Sequence, residues 1–363
     1  MPGLFESWSL PALAPVAVDT YRLVVGGGFN KANTAADQKT NKPPFVNPVY
    51  YILNPTDGTL INTQTMTSTI NPNPAALVGN QAFADSVLLS TAAKFYQEDN
   101  LADLGLQADL NGRIWFAYGG TNFPTSAVGI DATAKVGTNQ QPIYYPPAAS
   151  GYGDAKACDV FAFASGTLYE RSAAVTGSGI NTATAGSFEP SLYVAAAPKP
   201  STAGSPPSVP ATHILRLKIN SLTDPNTGKN LSPASQVTAP PFLLVPTSGT
   251  GASKAFFLVY DPQNGCNGFS YIVELDVAND ATSCTPSFVT PAGAPKDTPA
   301  GSPMVYGGGA GAASGFTISS DQVRVAQSGL GAGATATIST VPNVTPTSGG
   351  AFSFVLQWWR ELK

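Results

Sequence analysis

Histidine, charge and long apolar runs are all scarce in this chain. One residue of 363 is histidine, His213, inside the strand-like run HILRLKI. A lone imidazole excludes any site that needs two, and no Ser-His-Asp or Cys-His set can be argued around it; it reads as structural. Charged residues make up 11% of the chain and the formal net charge is −4, with Lys and Arg scattered. That balance argues against nucleic-acid binding and against a basic membrane-surface patch. No apolar run is long enough to span a bilayer as a helix. Met1-Pro2-Gly3 leads into ESWSLPAL with neither a charged n-region nor an apolar h-region, so no signal peptide is expected in this stretch. An exported form would then be a mature piece or one domain of a longer chain. Cysteine is limited to Cys158, Cys266 and Cys284. Their spacing does not suggest zinc. Cys266 and Cys284 flank one strand-turn unit and can pair in an oxidising compartment; the alternative is buried free thiols.

Glycine and proline are abundant, at 36 and 32 residues. Such a chain turns often and breaks helices often. Long amphipathic helical patterns are nearly absent. The exception is Asn80 to Gln97, where Phe83, Val87 and Leu88 fall at helical spacing and predict a short helix, although Thr91 interrupts that face. Hydrophobic residues supply 43% of the chain, enough for a substantial core. No composition break divides it, so one domain over 1–363 is expected.

The most informative stretch is Lys94 to Tyr118, KFYQEDNLADLGLQADLNGRIWFAY. Asn111-Gly112 between two apolar runs is a strong hairpin signal, because both central residues of such a turn favour positive φ. The same unit, strand then Asp/Asn-containing Gly turn then strand, occurs at VYYILNPTDGTLINT and more loosely at FSYIVELDVANDATS. Further strands are expected at Asp159–Phe163, Leu192–Val194, His213–Ile219, Phe242–Val245, Ala255–Tyr260, Phe269–Leu275 and Pro303–Tyr306. A strand pair is expected over Phe316–Val325. Pro198–Pro210 and Gly307–Gly315 read as flexible loops. The run FSFVLQWWRELK reads as a final strand that closes against the N-terminal segment. Short strands recurring irregularly with Gly-rich turns predict an all-β fold: an irregular β-propeller of about seven blades, with long Gly/Pro-rich loops and at most short helices.

Candidate chemistry centres on the loop Asp99-Asn100-Leu101-Ala102-Asp103. Calcium takes oxygen ligands from Asp, Asn, backbone carbonyls and water at short spacing. Gln97, Asp99, Asn100 and Asp103, with Glu98 as a further donor, form a degenerate calcium loop; the alternative is a solvated acidic turn. Glu6, Glu189, Glu274 and Asp276 read as isolated carboxylates, solvated or bonded to backbone. Gly26-Gly27-Gly28 follows a strand but no helix pattern follows it, so a turn is favoured over a phosphate loop. Trp8, Trp115, Trp358 and Trp359 offer either a stacking platform or, at strand positions, core.

Taken in order, WSLPAL, YRLVVGGGFN with VYYILNPTDGTL, DNLADLGLQADLNGRIW, QPIYYPPA leading to VFAFASGTLYE, SLYV, CNGFSYIVELDV and the terminal WWREL resemble the C-terminal β-propeller domain of the PilY/PilC family. These are tip adhesins and assembly factors of bacterial type IV pili. The family's acidic or amide calcium positions, first, third, fifth and ninth, correspond to Phe95, Gln97, Asp99 and Asp103. The family's N-terminal half has no counterpart in this sequence. The resemblance implies a non-enzymatic propeller at the cell surface or pilus tip, with minor pilins as partners, adhesion to host or abiotic surfaces, and calcium as the one implied ion. Two other classes stay open. A secreted carbohydrate- or surface-binding propeller has the same fold signature. A quinoprotein-type propeller enzyme would need a cofactor-stacking tryptophan, a calcium site and an Asp base; the adjacent-cysteine pair many of them carry is missing.

Overall fold

The structure, a computed structural model, describes residues 12–26, 49–65, 67–68, 86–89, 104–108, 112–118, 126–132, 143, 145–151, 158–166, 189–198, 211–244, 252–262, 268–279, 283–291, 294, 299–311, 313–318, 323–327 and 337–341. Among them the fold is all-β, with two short 3-10 turns at Ala211–His213 and Ile219–Ser221.

The strands form five sheets that follow one another along the chain. The first is the antiparallel meander β1 (Ala12–Ala17), β2 (Thr20–Gly26), β3 (Val49–Leu53) and β4 (Leu60–Thr65). The second holds β5 (Thr67–Ser68), β6 (Ser86–Leu89), β7 (Leu104–Ala108), β8 (Arg113–Tyr118) and β9 (Ser126–Asp131). Its order is β5-β9-β8-β7-β6, antiparallel except for the short parallel pair β5–β9. The third is β10 (Ala148–Gly151), β11 (Cys158–Ala164), β12 (Ser191–Pro198) and β13 (Ile214–Lys218), each antiparallel to the next. The fourth gathers β14 (Gln236–Val237), β15 (Phe242–Leu244), β16 (Ser253–Asp261), β17 (Phe269–Asn279), β18 (Pro286–Val289) and β19 (Met304–Ala310) around the β16–β17 hairpin. The fifth is β20 (Ala313–Ile318), β21 (Val323–Gln327) and β22 (Thr337–Val341).

Sheets adjacent in sequence pack against each other. Every residue of β11 is buried, Asp159 included, which is why the run Val160–Ala164 is apolar without alternation. Val160, Ala162, Leu192 and Val194 face Phe257, Val259, Tyr271 and Val273 of the fourth sheet. The opposite face of the third sheet, with Phe161, Phe163, Tyr193 and Ala195, meets Leu106, Ile114 and Phe116 of the second. There Phe116 and Phe161 meet edge to face at 5.7 Å, and Phe163 stacks on Tyr193 at 5.0 Å. Such aromatic pairs add about 0.5–1.5 kcal/mol beyond their burial. The far face of the fourth sheet, with Phe256, Leu258 and Ile272, meets Ala313 of β20. Ser270 ties the same two sheets: its hydroxyl donates to Gly311 O (2.6 Å) and accepts from the Ala313 N–H (2.8 Å).

Turn chemistry sets the hairpin ends. The expected turn after Leu53 is present: the Asn54 N–H donates to Thr59 O (2.8 Å), Gly58 N–H to Asn54 O (2.8 Å) and Thr56 N–H to Asn54 Oδ1 (3.0 Å). Asp224 to Lys229 repeats this pattern, with Asp224 N–H to Lys229 O (2.8 Å), Gly228 N–H to Asp224 O (2.9 Å) and Asn226 N–H to Asp224 Oδ1 (2.9 Å). Both loops spell Asx-Pro-x-x-Gly, and Gly58 and Gly228 have φ of 71° and 69°. The side-chain oxygen closes the turn and glycine accepts the left-handed backbone. Gly112 also has positive φ, and the expected hairpin is present, β7 and β8 pairing from Leu104↔Tyr118 to Ala108↔Ile114, a register one residue off that of a two-residue Asn111-Gly112 turn.

Four expectations are corrected. Ser86–Leu89, inside the predicted Asn80–Gln97 helix, is β6, the edge strand of the second sheet; pairing with β7 overrides the helical spacing of Val87 and Leu88. The remainder of that segment lies outside the described residues. The glycines from Gly307 belong to β19, which pairs with β17, and only residues 311–312 separate it from β20. His213 ends a 3-10 turn rather than opening the strand. Finally, Cys284 pairs with Cys158, not with Cys266. The proposed Cys266–Cys284 turn pairing is defeated by β17, an 11-residue strand between the two positions that extends roughly 35 Å. Packing of the third sheet on the fourth brings Cys158 and Cys284 to a Cα separation of 5.6 Å, 126 residues apart in sequence. Both are buried against Ala196. Cys266 itself, Trp8, Trp358, Trp359, residues 199–210 and the terminal FSFVLQWWRELK lie outside the described residues.

With Cys158 and Cys284 joined, one thiol of the three should titrate in denaturant without reductant, and non-reducing peptide mapping should recover the Cys158–Cys284 link. Cys158→Ala with Cys284→Ala is expected to lower stability to denaturant by about 2–5 kcal/mol. Three titrating thiols in protein secreted to an oxidising compartment would contradict the pairing.

Candidate functional site

The densest chemistry among the described residues lies in the fourth sheet. Val273, Leu275 and Val277 of β17 point into the core shared with the third sheet. Strand alternation therefore places Glu274 and Asp276 on the opposite face with Ile272. Both carboxylates are buried, at 3% and 5% exposure. Buried carboxylates need a counter-charge, and the hairpin register supplies one: Lys254 of β16 lies directly across from Asp276, with Glu274 one diagonal step away. The Lys254 ammonium donates to Glu274 Oε1 and to Asp276 Oδ1 and Oδ2 at 3.2 and 3.1 Å. From β19 the Tyr306 hydroxyl donates to Glu274 Oε2 at 2.7 Å.

The environment sets the protonation of this cluster. Burial, reinforced by the neighbouring Glu274 charge and only partly offset by Lys254, pushes the Asp276 carboxyl from 3.8 up to about 7. Burial opposes the charge on Lys254, yet Glu274 and Asp276 outweigh it and hold the ammonium above its usual range. Burial and the Glu274 charge also raise Tyr306. A carboxyl titrating near neutrality has the protonation behaviour of an acid–base group. Here, though, the Lys254, Glu274 and Asp276 side chains are only 4–6% exposed, and their bonds run to one another. The arrangement cross-links β16, β17 and β19 and fixes their register; it presents no exposed reactive atom.

Glu274 and Asp276 are thus not the solvated or backbone-bonded carboxylates that the sequence suggested. Glu189 also departs from that reading. It pairs with Arg216 at 2.5 Å and Lys218 at 2.7 Å, two residues on one face of β13. The Lys218 hydrogen bond first, with help from Arg216, holds its carboxyl below the usual range despite the opposing effect of burial. Lys254 and Tyr306 went unnoticed as site residues. The available signal was Val-Glu-Leu-Asp-Val, two acids at alternate positions in a strand apolar on both faces, which requires a buried cation from a neighbouring strand.

Of the residues expected to hold calcium, Gln97, Asp99, Asn100 and Asp103 lie outside the described residues. Their donor set is all oxygen, as a hard cation requires. Among the described residues no group of three or more His, Cys, Asp or Glu side chains is placed to hold a metal ion, and no helix is long and apolar enough to cross a membrane. Trp115 is core, fully buried in β8. Compared with known proteins, the chain matches no protein-family model and no curated sequence.

Two outcomes test the cluster. Lys254→Met leaves two carboxylates buried without a cation and should cost about 3–5 kcal/mol in denaturant unfolding. Asp276 gives the pH dependence. Its folded-state pKa is raised, so its stabilising contribution is complete below the unfolded value near 3.8 and is lost as pH rises through about 7. Asp276→Asn should flatten the fall of the melting temperature between about pH 4 and 8. Identical slopes in variant and parent would dismiss the raised pKa.

Proposed function

We propose that this chain is a non-enzymatic, cell-surface β-propeller similar to the PilY/PilC type IV pilus tip domain, which promotes pilus assembly through minor pilins and contributes to adhesion. The observation that carries the fold part of the reading is the succession of small antiparallel sheets, each packed face to face on the sheets next to it in sequence. Propeller blades succeed one another in that way. The functional part rests on the ordered motifs from WSLPAL to WWREL. A buried disulfide agrees with an exported protein, since such bonds persist in oxidising compartments. In this reading rigid sheets present the connections between their strands to pilin partners or surfaces. Gln97, Asp99, Asn100 and Asp103 would hold calcium, which orders the loop that carries them.

Gene deletion in the source bacterium, followed by shearing and quantification of the major pilin, tests the role. Loss of surface filaments, with the protein present in the parent's sheared fraction, is expected. Normal filament yield without this protein in the fraction would leave a free-standing secreted binder as the better reading. The ion is tested separately by calorimetry on the whole chain. Calcium should give saturable heat that disappears in Asp99→Ala/Asp103→Ala; no heat with the parent protein would remove calcium from the proposal.

A further inference from the structure

The pairs Lys218–Glu189 and Lys254–Asp276 contain the same chemical groups and differ in access to water. Lys218 reaches Glu189 at 2.7 Å, but its side chain is 50% exposed and solvent stabilises the charges. The Lys254, Glu274 and Asp276 side chains are only 4–6% exposed. The flanking strands set apolar residues beside them. Leu244 of β15 stands across from Lys254, and Val289 of β18 across from Asp276. Phe256 lies directly opposite Glu274. A primary amine and a carboxyl group are thus enclosed together where burial penalises their charged forms.

We propose that Lys254 and Asp276 condense to an intramolecular isopeptide bond, with Glu274 as the proton carrier. The Lys254 Nζ lies 3.2 and 3.1 Å from Asp276 Oδ1 and Oδ2. Near-equal distances place it facing the carboxyl carbon between them rather than beside one oxygen. Groups held in place at separations of about 3–3.5 Å gain most of the advantage of an intramolecular reaction. Glu274 Oε1 bonds the same nitrogen, while the Tyr306 hydroxyl holds Oε2 at 2.7 Å. Asp276 is the electrophile of the two acids. The amine faces both of its oxygens, and burial raises its carboxyl to about 7, so the neutral acid is populated at ordinary pH.

The step balances without any further reagent. One proton passes from the ammonium to Asp276 and leaves a neutral amine beside a neutral acid. The nitrogen lone pair attacks Asp276 Cγ, and the C–N bond forms as the carbonyl electrons move onto oxygen. Glu274 Oε1 takes a proton from the nitrogen and delivers it to the departing hydroxyl. The C–O bond breaks, the carbonyl re-forms and one water leaves. Glu274 ends as the carboxylate it began as, and the new amide N–H is its donor in place of the ammonium. β16 and β17 pair from Ser253↔Val277 to Asp261↔Phe269, so the bond ties this hairpin near its open end, across 22 residues. A pull on the chain is then borne by a covalent link, and the hairpin cannot unzip. The titration described for Asp276 belongs to protein in which the bond has not formed. The inference is independent of any pilus role.

The test is mass spectrometry of the full chain, purified folded, then reduced, denatured and digested with trypsin. Trypsin does not cut after an acylated lysine. Bonded protein should therefore yield residues 230–296 as one peptide, lighter than its sequence by one water, while cleavage after Lys218 proceeds. Chymotryptic cuts between Lys254 and Asp276 should leave the two arms joined. Asp276→Asn should give the same bonded product by releasing ammonia in place of water. Glu274→Gln should slow bond formation roughly 100-fold or more, read as the bonded fraction at successive times after synthesis, with far-ultraviolet dichroism showing that the sheets are folded. Ordinary cleavage after Lys254 in folded parent protein would overturn the proposal. A link from Lys254 to Glu274 would overturn the assignment of Asp276, and an unchanged rate in folded Glu274→Gln would overturn the role of Glu274.

Discussion

Burial of the third sheet on both faces is the constraint from which the remaining packing follows. β11 and β12 have almost no solvent-facing side, so each neighbouring sheet must present an apolar face to them. The second sheet meets one side with Leu106, Ile114 and Phe116, and the fourth meets the other with Phe257, Val259 and Tyr271. Ala195, Ala196 and Ala197 are buried in β12, where small side chains let neighbouring layers approach. With charged residues at 11% of the chain, stacking sheet on sheet is how so many apolar strands leave water.

One polar set within this interior is bonded among its own members. Lys254, Glu274, Asp276 and Tyr306 exchange their hydrogen bonds among themselves on the face of the fourth sheet away from the third. A one-residue slip of β16 against β17 would turn Lys254 away from both carboxylates, so the cluster opposes misregister even where its net energy is small. The disulfide acts between sheets, and the ion cluster within one.

Sequence reading recovered elements whose signal is local. The β7–β8 hairpin follows from Asn111-Gly112, and the β3–β4 turn from Asn54-Pro-Thr-Asp-Gly58. The second Asx-Pro-x-x-Gly loop at Asp224 was equally local in its signal but was not singled out. Features that depend on distant partners were misread. Val87 and Leu88 satisfy helical spacing, and only the edge of β7 makes them a strand. Glycines at 307–309 look like loop, yet β17 recruits them into a ladder. The Asn226 amide of the Asp224 loop lies 3.4 Å from where a Cβ would stand on Gly307. Lys254 finds its acids through hairpin register, and Cys158 finds Cys284 through sheet packing; neither relation is visible as a spacing. The expected calcium residues belong to a stretch outside the described residues.

The span closed by the disulfide has a consequence for the order in which the chain matures. Cys158 and Cys284 are 126 residues apart, and the packing of the third sheet on the fourth holds them together. A chain made from its N-terminus presents Cys158 long before its partner. During that interval the early thiol is open to wrong partners, including Cys266, which emerges first. The native pairing thus joins two residues that lie far apart in the order of synthesis.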